Sequence, residues 1–286
     1  MTSAATAPPA HAAGTVTLGG DLPVHRMGFG AMRITGSGIW GAPADHEEAL
    51  AVLRRAVELG VDFIDTADSY GPFVSEDLIA EALHPYPASL VIATKGGLTR
   101  SGPGVWEAVG RPEYLRQCVE MSLRRLRLER IDLYQFHRVD PQVPIEDSVG
   151  ALKELQDQGK IRHLGLSNVT VAQLDAASEV ATIVSVQNRY NATARDADPV
   201  LDACTERGLA FIPWAPVGSG DVSVLSAAAE RHGVTPSQLA LAWLLHRSPV
   251  MVPIPGTSSV AHLEENIAAA AIELTPDDIA ALTSTG

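Results

Sequence analysis

Cysteine is nearly absent from this chain, and what is missing narrows the reading before any motif does. Only Cys118 and Cys204 occur among 286 residues, without C-x-x-C spacing or a nearby histidine pair, so neither a disulfide framework nor a zinc site is expected. Both lie in stretches that read as helices, which suits reduced core thiols of a cytoplasmic protein. Basic residues are also outnumbered: 21 Lys and Arg stand against 34 Asp and Glu, a formal charge of −13 at pH 7. Such a field repels nucleic-acid phosphates and anionic membranes, so neither is an expected partner, and a phosphate-bearing ligand must be held by local geometry. No apolar run approaches the roughly 20 residues of a membrane helix. Residues 1–13 are rich in Ala, Pro, Thr and Ser but lack the basic start and apolar core of a signal peptide. They are expected to form a disordered tail before a single domain over 14–286. No G-x-G-x-x-G follows the first apolar run, which argues against a doubly wound dinucleotide-binding sheet, and no ligand spacing suggests a metal.

What is present is material for a large core: 46% of residues are hydrophobic and 19% charged. Val16 to Leu18 and Val24-His25 flank Gly19-Gly20-Asp21, the pattern of a β-hairpin. Eight short apolar runs suited to buried parallel strands follow, at Met27 to Ala31, Phe63 to Asp65, Leu90 to Thr94, Ile131 to Phe136, His163 to Leu166, Ile183 to Gln187, Ala210 to Pro213 and Val250 to Ile254. Helical patterns lie between them, such as Leu50, Leu53, Val57 and Leu59. Gly60, Gly159 and Gly208 end such patterns, and Pro112 and Pro236 begin them. Eight strand-helix units without a break in composition predict one α/β domain, a (β/α)8 TIM barrel with an N-terminal β-hairpin.

In such barrels chemistry gathers where strands end at their C-terminal side. The second strand ends in Asp65 and leads to Tyr70, the third ends in Thr94-Lys95, and the fourth ends in Phe136-His137. An acid, a phenol, an amine and an imidazole would meet at one mouth. A lysine ammonium beside a tyrosine favours the phenolate and lowers a pKa that starts near ~10, making Tyr70 a usable acid. Asp65 would pair with Lys95, and His137 would orient a substrate oxygen. Singly, each has a plainer reading: Asp65 as a cap, Tyr70 as the anchor of a turn at Gly71, His137 as a satisfied core histidine. Their joint arrival at successive strand ends favours catalysis. Trp40, Phe73 and Trp106, in loops after the first three strands, read either as an aromatic substrate-pocket wall or as packing within their own loops.

Asp65-Thr66-Ala67-Asp68-Ser69-Tyr70-Gly71, Ala93-Thr94-Lys95, Gly165-Leu166-Ser167-Asn168 and Val186-Gln187-Asn188-Arg189-Tyr190-Asn191 resemble segments of the aldo-keto reductase superfamily. The resemblance runs from Val16 to the end of the chain. It implies NADP(H) as cofactor, a small-molecule carbonyl substrate, and the tetrad Asp65, Tyr70, Lys95 and His137. It further implies Ser167, Asn168 and Gln187 on the nicotinamide carboxamide, Trp214 stacked on the ring, and contacts from Gly30, Ala31, Met32 and Ala215. Pro216, Val217, Gly218 and Ser219 would cross the pyrophosphate. The family's best known pattern grips the 2′-phosphate with a lysine and an arginine, and those positions read Gly256 and His262 here. Thr257, Ser258 and Ser259 remain, with hydroxyls and free backbone N–H groups at a helix start, and Glu265 and Asn266 would meet the adenine. Gly41-Ala42-Pro43 and the stretch from Gly256 to Leu263 resemble the bacterial branch that includes pyridoxal reductases. An NADP-binding regulatory protein of the same fold is the alternative; an intact tetrad argues against it. A Schiff-base lyase using Lys95 is disfavoured because Asp65 would keep that amine protonated.

Overall fold

The computed structural model describes residues 8–218 and 225–284. The chain enters through a 3-10 turn at Pro9–Ala13, whose Ala10 and Ala13 are buried and whose Ala10 N–H bonds the Leu59 carbonyl at 3.0 Å. Structure thus begins ahead of residue 14, because two small apolar side chains find a place against the core. The hairpin follows as β1 (Thr15–Leu18) and β2 (Leu22–His25), with Gly19 and Gly20 taking positive φ in its turn.

Strands and helices then alternate: β3 (Phe29–Gly30), α1 (His46–Glu58), β4 (Phe63–Asp65), α2 (Val74–Leu83) and β5 (Val91–Gly96). A two-stranded insert, β6 (Leu98–Thr99) and β7 (Glu107–Ala108), precedes α3 (Pro112–Leu126), β8 (Ile131–Phe136), α4 (Ile145–Asp157), β9 (Ile161–Ser167) and α5 (Val171–Ser178). The described chain continues through β10 (Ile183–Gln187), α6 (Asp198–Arg207), β11 (Ala210–Phe211), α7 (Ser226–His232), α8 (Pro236–Arg247), α9 (Val260–Ala268) and α10 (Pro276–Ser284). Helix starts carry the expected chemistry: Asp45 accepts the Glu48 N–H at 2.9 Å, Thr170 with Gln173 and Thr235 with Gln238 form capping boxes, and Pro112 and Pro236 open α3 and α8. Among the described residues no helix is long and apolar enough to cross a membrane.

Seven strands form one curled parallel sheet in the order β3-β4-β5-β8-β9-β10-β11. The eighth expected strand is the exception to the predicted barrel. Residues 250–255 do not form a regular strand, since Pro253 and Pro255 lack the N–H groups a ladder needs. They still bond both edges of the sheet: Phe211 N–H to Val250 O at 2.9 Å and Val252 N–H to Phe211 O at 2.8 Å on one side, Gly28 N–H to Pro253 O at 3.0 Å on the other.

Side chains along the strands alternate between two cores. Ile64, Ile92, Tyr134, Leu164 and Val186 face the helices. Phe63, Val91, Ala93, Leu133, Val184, Ile212 and Val252 cluster inside the curl together with Leu18, Leu22 and Val24 of the hairpin. Each fully buried side chain of this size contributes roughly 1.5–3 kcal/mol. The hairpin therefore makes an apolar floor at the strands' N-terminal ends, which leaves the C-terminal ends as the mouth.

Candidate active site

Two residues beyond that floor, the inward-facing positions turn polar. Phe63 is followed at this spacing by Asp65, Ala93 by Lys95 and Leu133 by Gln135, while the parallel register sets Asp65 beside Ala93 and Lys95 beside Gln135. Lys95 and Gln135 are wholly buried and Asp65 is 2% exposed. An isolated charge at this depth would cost several kcal/mol, so the charges must be paired and fully hydrogen-bonded. Lys95 Nζ donates to Asp65 Oδ2 at 2.6 Å, to the Thr66 carbonyl at 2.9 Å and to the Tyr70 hydroxyl at 3.2 Å. Those three bonds use all three ammonium protons.

The second Asp65 oxygen is also occupied. Oδ1 accepts Gln135 Nε2 at 2.9 Å and Gln187 Nε2 at 2.8 Å. The Nε2 of Gln187, a residue expected at the nicotinamide carboxamide, is thus committed to the carboxylate. Gly165 on β9 makes room for this network, because a Cβ there would lie 2.3 Å from Ser185 Oγ and 3.0 Å from Gln135 Cγ. The sequence analysis does not single out Gln135, whose signal is a polar residue inside the run Ile131 to Phe136.

Tyr70, from the loop after β4, stands nearly perpendicular to the His137 ring, with centroids 5.9 Å apart at 83°. Lys95 pulls the tyrosine pKa down as the sequence argument has it. Burial nevertheless pushes the phenol up more strongly, Asp65 and Asp68 add to that, and the net direction is upward. Tyr70 therefore holds its proton firmly, against the lowering that Lys95 alone would give. Burial alone would push the Lys95 ammonium pKa down, but Asp65 and Tyr70 outweigh it and the amine stays charged. Burial, followed by the charges of Lys95, Arg138 and Arg100, holds His137 well below the ordinary imidazole range. Its ring is therefore neutral, and Ser69 Oγ lies 3.3 Å from its Nδ1.

The aromatic residues divide. Trp106 is edge-on to Tyr70, with centroids 6.3 Å apart, and Trp40 pairs in a parallel bridge with Gly71. Both flank Arg100, a residue the sequence reading passed over. Phe73 does not join them: it is 49% exposed and lies under the Arg125 guanidinium at 4.3 Å, where its left-handed φ of 73° directs it at the start of α2.

The residues expected at a cofactor form a second group. Asn168, held at φ 58°, donates to Ser167 Oγ at 2.9 Å and to the His137 carbonyl at 3.2 Å, and accepts Trp214 Nε1 at 3.0 Å. The indole of Trp214 is thereby tied to the strand end that carries His137. Ala215 also has a positive φ of 52°, and its carbonyl accepts Asn191 Nδ2 at 2.9 Å and the Gly218 N–H at 2.8 Å across Pro216 and Val217. Ser219 lies outside the described residues. Ala31 is buried with its carbonyl taken by Ser75 Oγ at 3.1 Å, and Met32 is half-buried beside it.

Gly256, one of the two positions that read as departing from the family's phosphate-binding pattern, stands at a backbone crossing. A Cβ at Gly256 would lie 2.5 Å from the Gly30 carbonyl oxygen, and one at Gly30 would lie 2.6 Å from the Ile254 carbonyl oxygen. The two backbones cross too closely for any side chain, let alone a lysine. The free N–H groups expected at the start of α9 are also partly spent: Ser259 N–H goes to Thr257 Oγ1 at 3.1 Å and Val260 N–H to Glu48 Oε1 at 3.0 Å. Ser258 and His262 are exposed there, Asn266 is half-buried, and Glu265 Oε1 accepts Thr235 Oγ1 at 2.6 Å.

The chain is similar to known proteins along most of its length. The family profile described as "Aldo/keto reductase family" matches residues 26–226 and 221–286. An uncharacterized oxidoreductase of Schizosaccharomyces pombe is 51% identical over all of this chain and 94% of its own length. Pyridoxine 4-dehydrogenase of Escherichia coli is 44% identical over 94% of this chain and 96% of its own. Among solved structures, a glycerol dehydrogenase of Gluconobacter oxydans superposes with a TM-score of 0.86 at 27% identity, covering 96% of this chain and 95% of that one. An aldo/keto reductase of Klebsiella pneumoniae in complex with NADP and acetate gives a TM-score of 0.78 at 25% identity, with 94% and 93% covered. The chain belongs to the aldo/keto reductase family.

Proposed function

We propose that this protein reduces an aldehyde or ketone to an alcohol with NADPH, using Tyr70 as the general acid. The reading takes residues 14–286 as one (β/α)8 barrel, with the 250–255 segment as its eighth stave. The observation that carries it is the chain of contacts from Asp65 through the charged Lys95 to the Tyr70 hydroxyl, 2.6 Å and 3.2 Å long, buried at the mouth.

The donor set suits a dinucleotide. Trp214 and Asn168 would meet the nicotinamide, Pro216 to Gly218 the pyrophosphate, and Thr257 with Ser258 and the start of α9 the adenosine phosphate. When bound, the reduced nicotinamide supplies a hydride to the carbonyl carbon. Tyr70 donates its proton to the carbonyl oxygen, and Lys95 stabilises the phenolate left behind. The neutral His137 donates a hydrogen bond that fixes the same oxygen without competing as the acid. The oxidation of an alcohol is the reverse of these steps.

The similarity to pyridoxine 4-dehydrogenase makes pyridoxal the first aldehyde to try. The two buried free cysteines fit a cytoplasmic setting. The test follows NADPH absorbance over a panel of aliphatic and aromatic aldehydes that includes pyridoxal. Carbonyl-dependent oxidation of NADPH supports the reading, and its absence across the panel rejects it.

A further inference from the structure

We propose that Arg100 is the specificity-determining residue of the mouth: it holds Trp106 and Trp40 in one wall beside Tyr70, so that flat aromatic carbonyls are selected over short aliphatic ones. The inference rests on the carbonyl-reductase reading above.

The placement begins with backbone register. In the insert after β5, Thr99 of β6 pairs with Glu107 of β7, so Arg100 and Trp106 leave the ladder opposite one another. The Arg100 Cζ lies over the Trp106 ring, 3.5 Å from its centroid, and 5.6 Å from that of Trp40. Its donors go to backbone carbonyls of three different loops. Nη1 bonds Ile39 O at 3.0 Å and Ser69 O at 2.8 Å, Nη2 bonds Gly38 O at 3.1 Å and Gly102 O at 3.5 Å, and Nε bonds Val105 O at 2.8 Å. A guanidinium satisfied by neutral carbonyls keeps a charge free for the indole faces, and its planar fork fixes both partners at once.

The consequence reaches the catalytic tyrosine. Ser69, whose carbonyl Arg100 holds, precedes Tyr70 and meets His137, while Trp106 stands edge-on to the Tyr70 ring at 6.3 Å. A substrate presenting its carbonyl oxygen to Tyr70 therefore carries its substituent past Trp106. An aromatic substituent gains contact with the indole there, and a two- or three-carbon chain gains little. Lysine cannot replace this arginine, because a point charge reaches neither three loops nor the ring face.

The experiment compares pyridine-4-carboxaldehyde with propanal as substrates for the wild type and for Arg100→Met, Arg100→Lys, Trp106→Leu and Trp106→Phe, with NADPH saturating. The expected result for Arg100→Met and Trp106→Leu is a fall of about tenfold or more in the aromatic-to-aliphatic ratio of kcat/KM, carried by KM for the aromatic aldehyde. Trp106→Phe recovers most of the ratio and Arg100→Lys little of it. An unchanged ratio in Arg100→Met and Trp106→Leu overturns the inference, as does a loss carried by kcat alike for both aldehydes, which is the signature of a merely structural role. Should Arg100→Met fail to fold, Arg100→Lys decides together with Trp106→Leu, a wild-type ratio in either one overturning the inference. A wild type that reduces neither aldehyde rejects the underlying reading and the inference with it, and is thereby distinguished from a wild type that reduces both without preference, which overturns the inference alone.

Discussion

The mouth of the sheet buries its polar side chains in one closed network, whereas the start of α9 leaves most of its own at the surface. At the mouth, Asp65 spends both oxygens and Lys95 all three protons on one another and on Tyr70, Thr66, Gln135 and Gln187. Nothing in that cluster can move without stranding a buried charge. At the start of α9 Ser258 and His262 are exposed and Asn266 is half-buried, while Glu48 accepts the Val260 N–H and Glu265 accepts Thr235 Oγ1. Fixed geometry suits a site that must place a proton, and a more exposed surface suits the coenzyme contact proposed at α9.

The contrast sets an order of effects. Lys95→Met removes the partner of a carboxylate that is 2% exposed. The unpaired Asp65 should cost about 3–5 kcal/mol of stability, visible as a lower midpoint in urea, and turnover should fall by roughly a thousandfold or more. If Lys95→Met keeps wild-type stability and activity, the mouth is not the rigid cluster described. Gln135→Leu removes one bond to the carboxylate and leaves the other from Gln187. At about 1.5–3 kcal/mol for a hydrogen bond to a charge, kcat should drop by roughly ten- to a hundredfold with little change in KM. A change confined to KM would place Gln135 in substrate binding instead. Glu48→Gln is the smallest: removing a negative charge from the start of α9 should lower the KM for NADPH by about two- to fivefold and leave that for NADH alone. Equal shifts for both coenzymes would show that Glu48 acts on α9 rather than on the phosphate.

The same contrast marks what was legible in the sequence. Asp65, Tyr70, Lys95 and His137 could be read because strand ends are ordered by the chain, and the register joins Asp65 to Ala93 and Lys95 to Gln135 without any long loop intervening. The apolar run Val250 to Ile254 reads as an eighth strand, but Pro253 and Pro255 deny it a regular ladder, so that expectation fails at the level of the strand. Contacts made between loops were not legible. Arg100 binds Ser69, 31 residues away, and Ile39, 61 residues away, and no periodicity encodes such a meeting. Phe73 was grouped with the two tryptophans by its position after a strand, whereas its backbone turns it to Arg125. The direction of the Tyr70 pKa was misjudged for a different reason: the charge of Lys95 is visible in the sequence, and the depth of burial that outweighs it is not.

The claim on which the rest depends is that Tyr70 supplies the proton while other groups hold the ligands. Tyr70→Phe removes one hydroxyl and preserves the ring that packs against His137 and Trp106. Its dissociation constant for NADPH, by fluorescence titration, and its kcat for the best aldehyde of the panel should be measured side by side. The account predicts coenzyme binding within about twofold of wild type and turnover reduced by roughly a thousandfold or more. Turnover near the wild-type value in a variant that binds NADPH normally would contradict it.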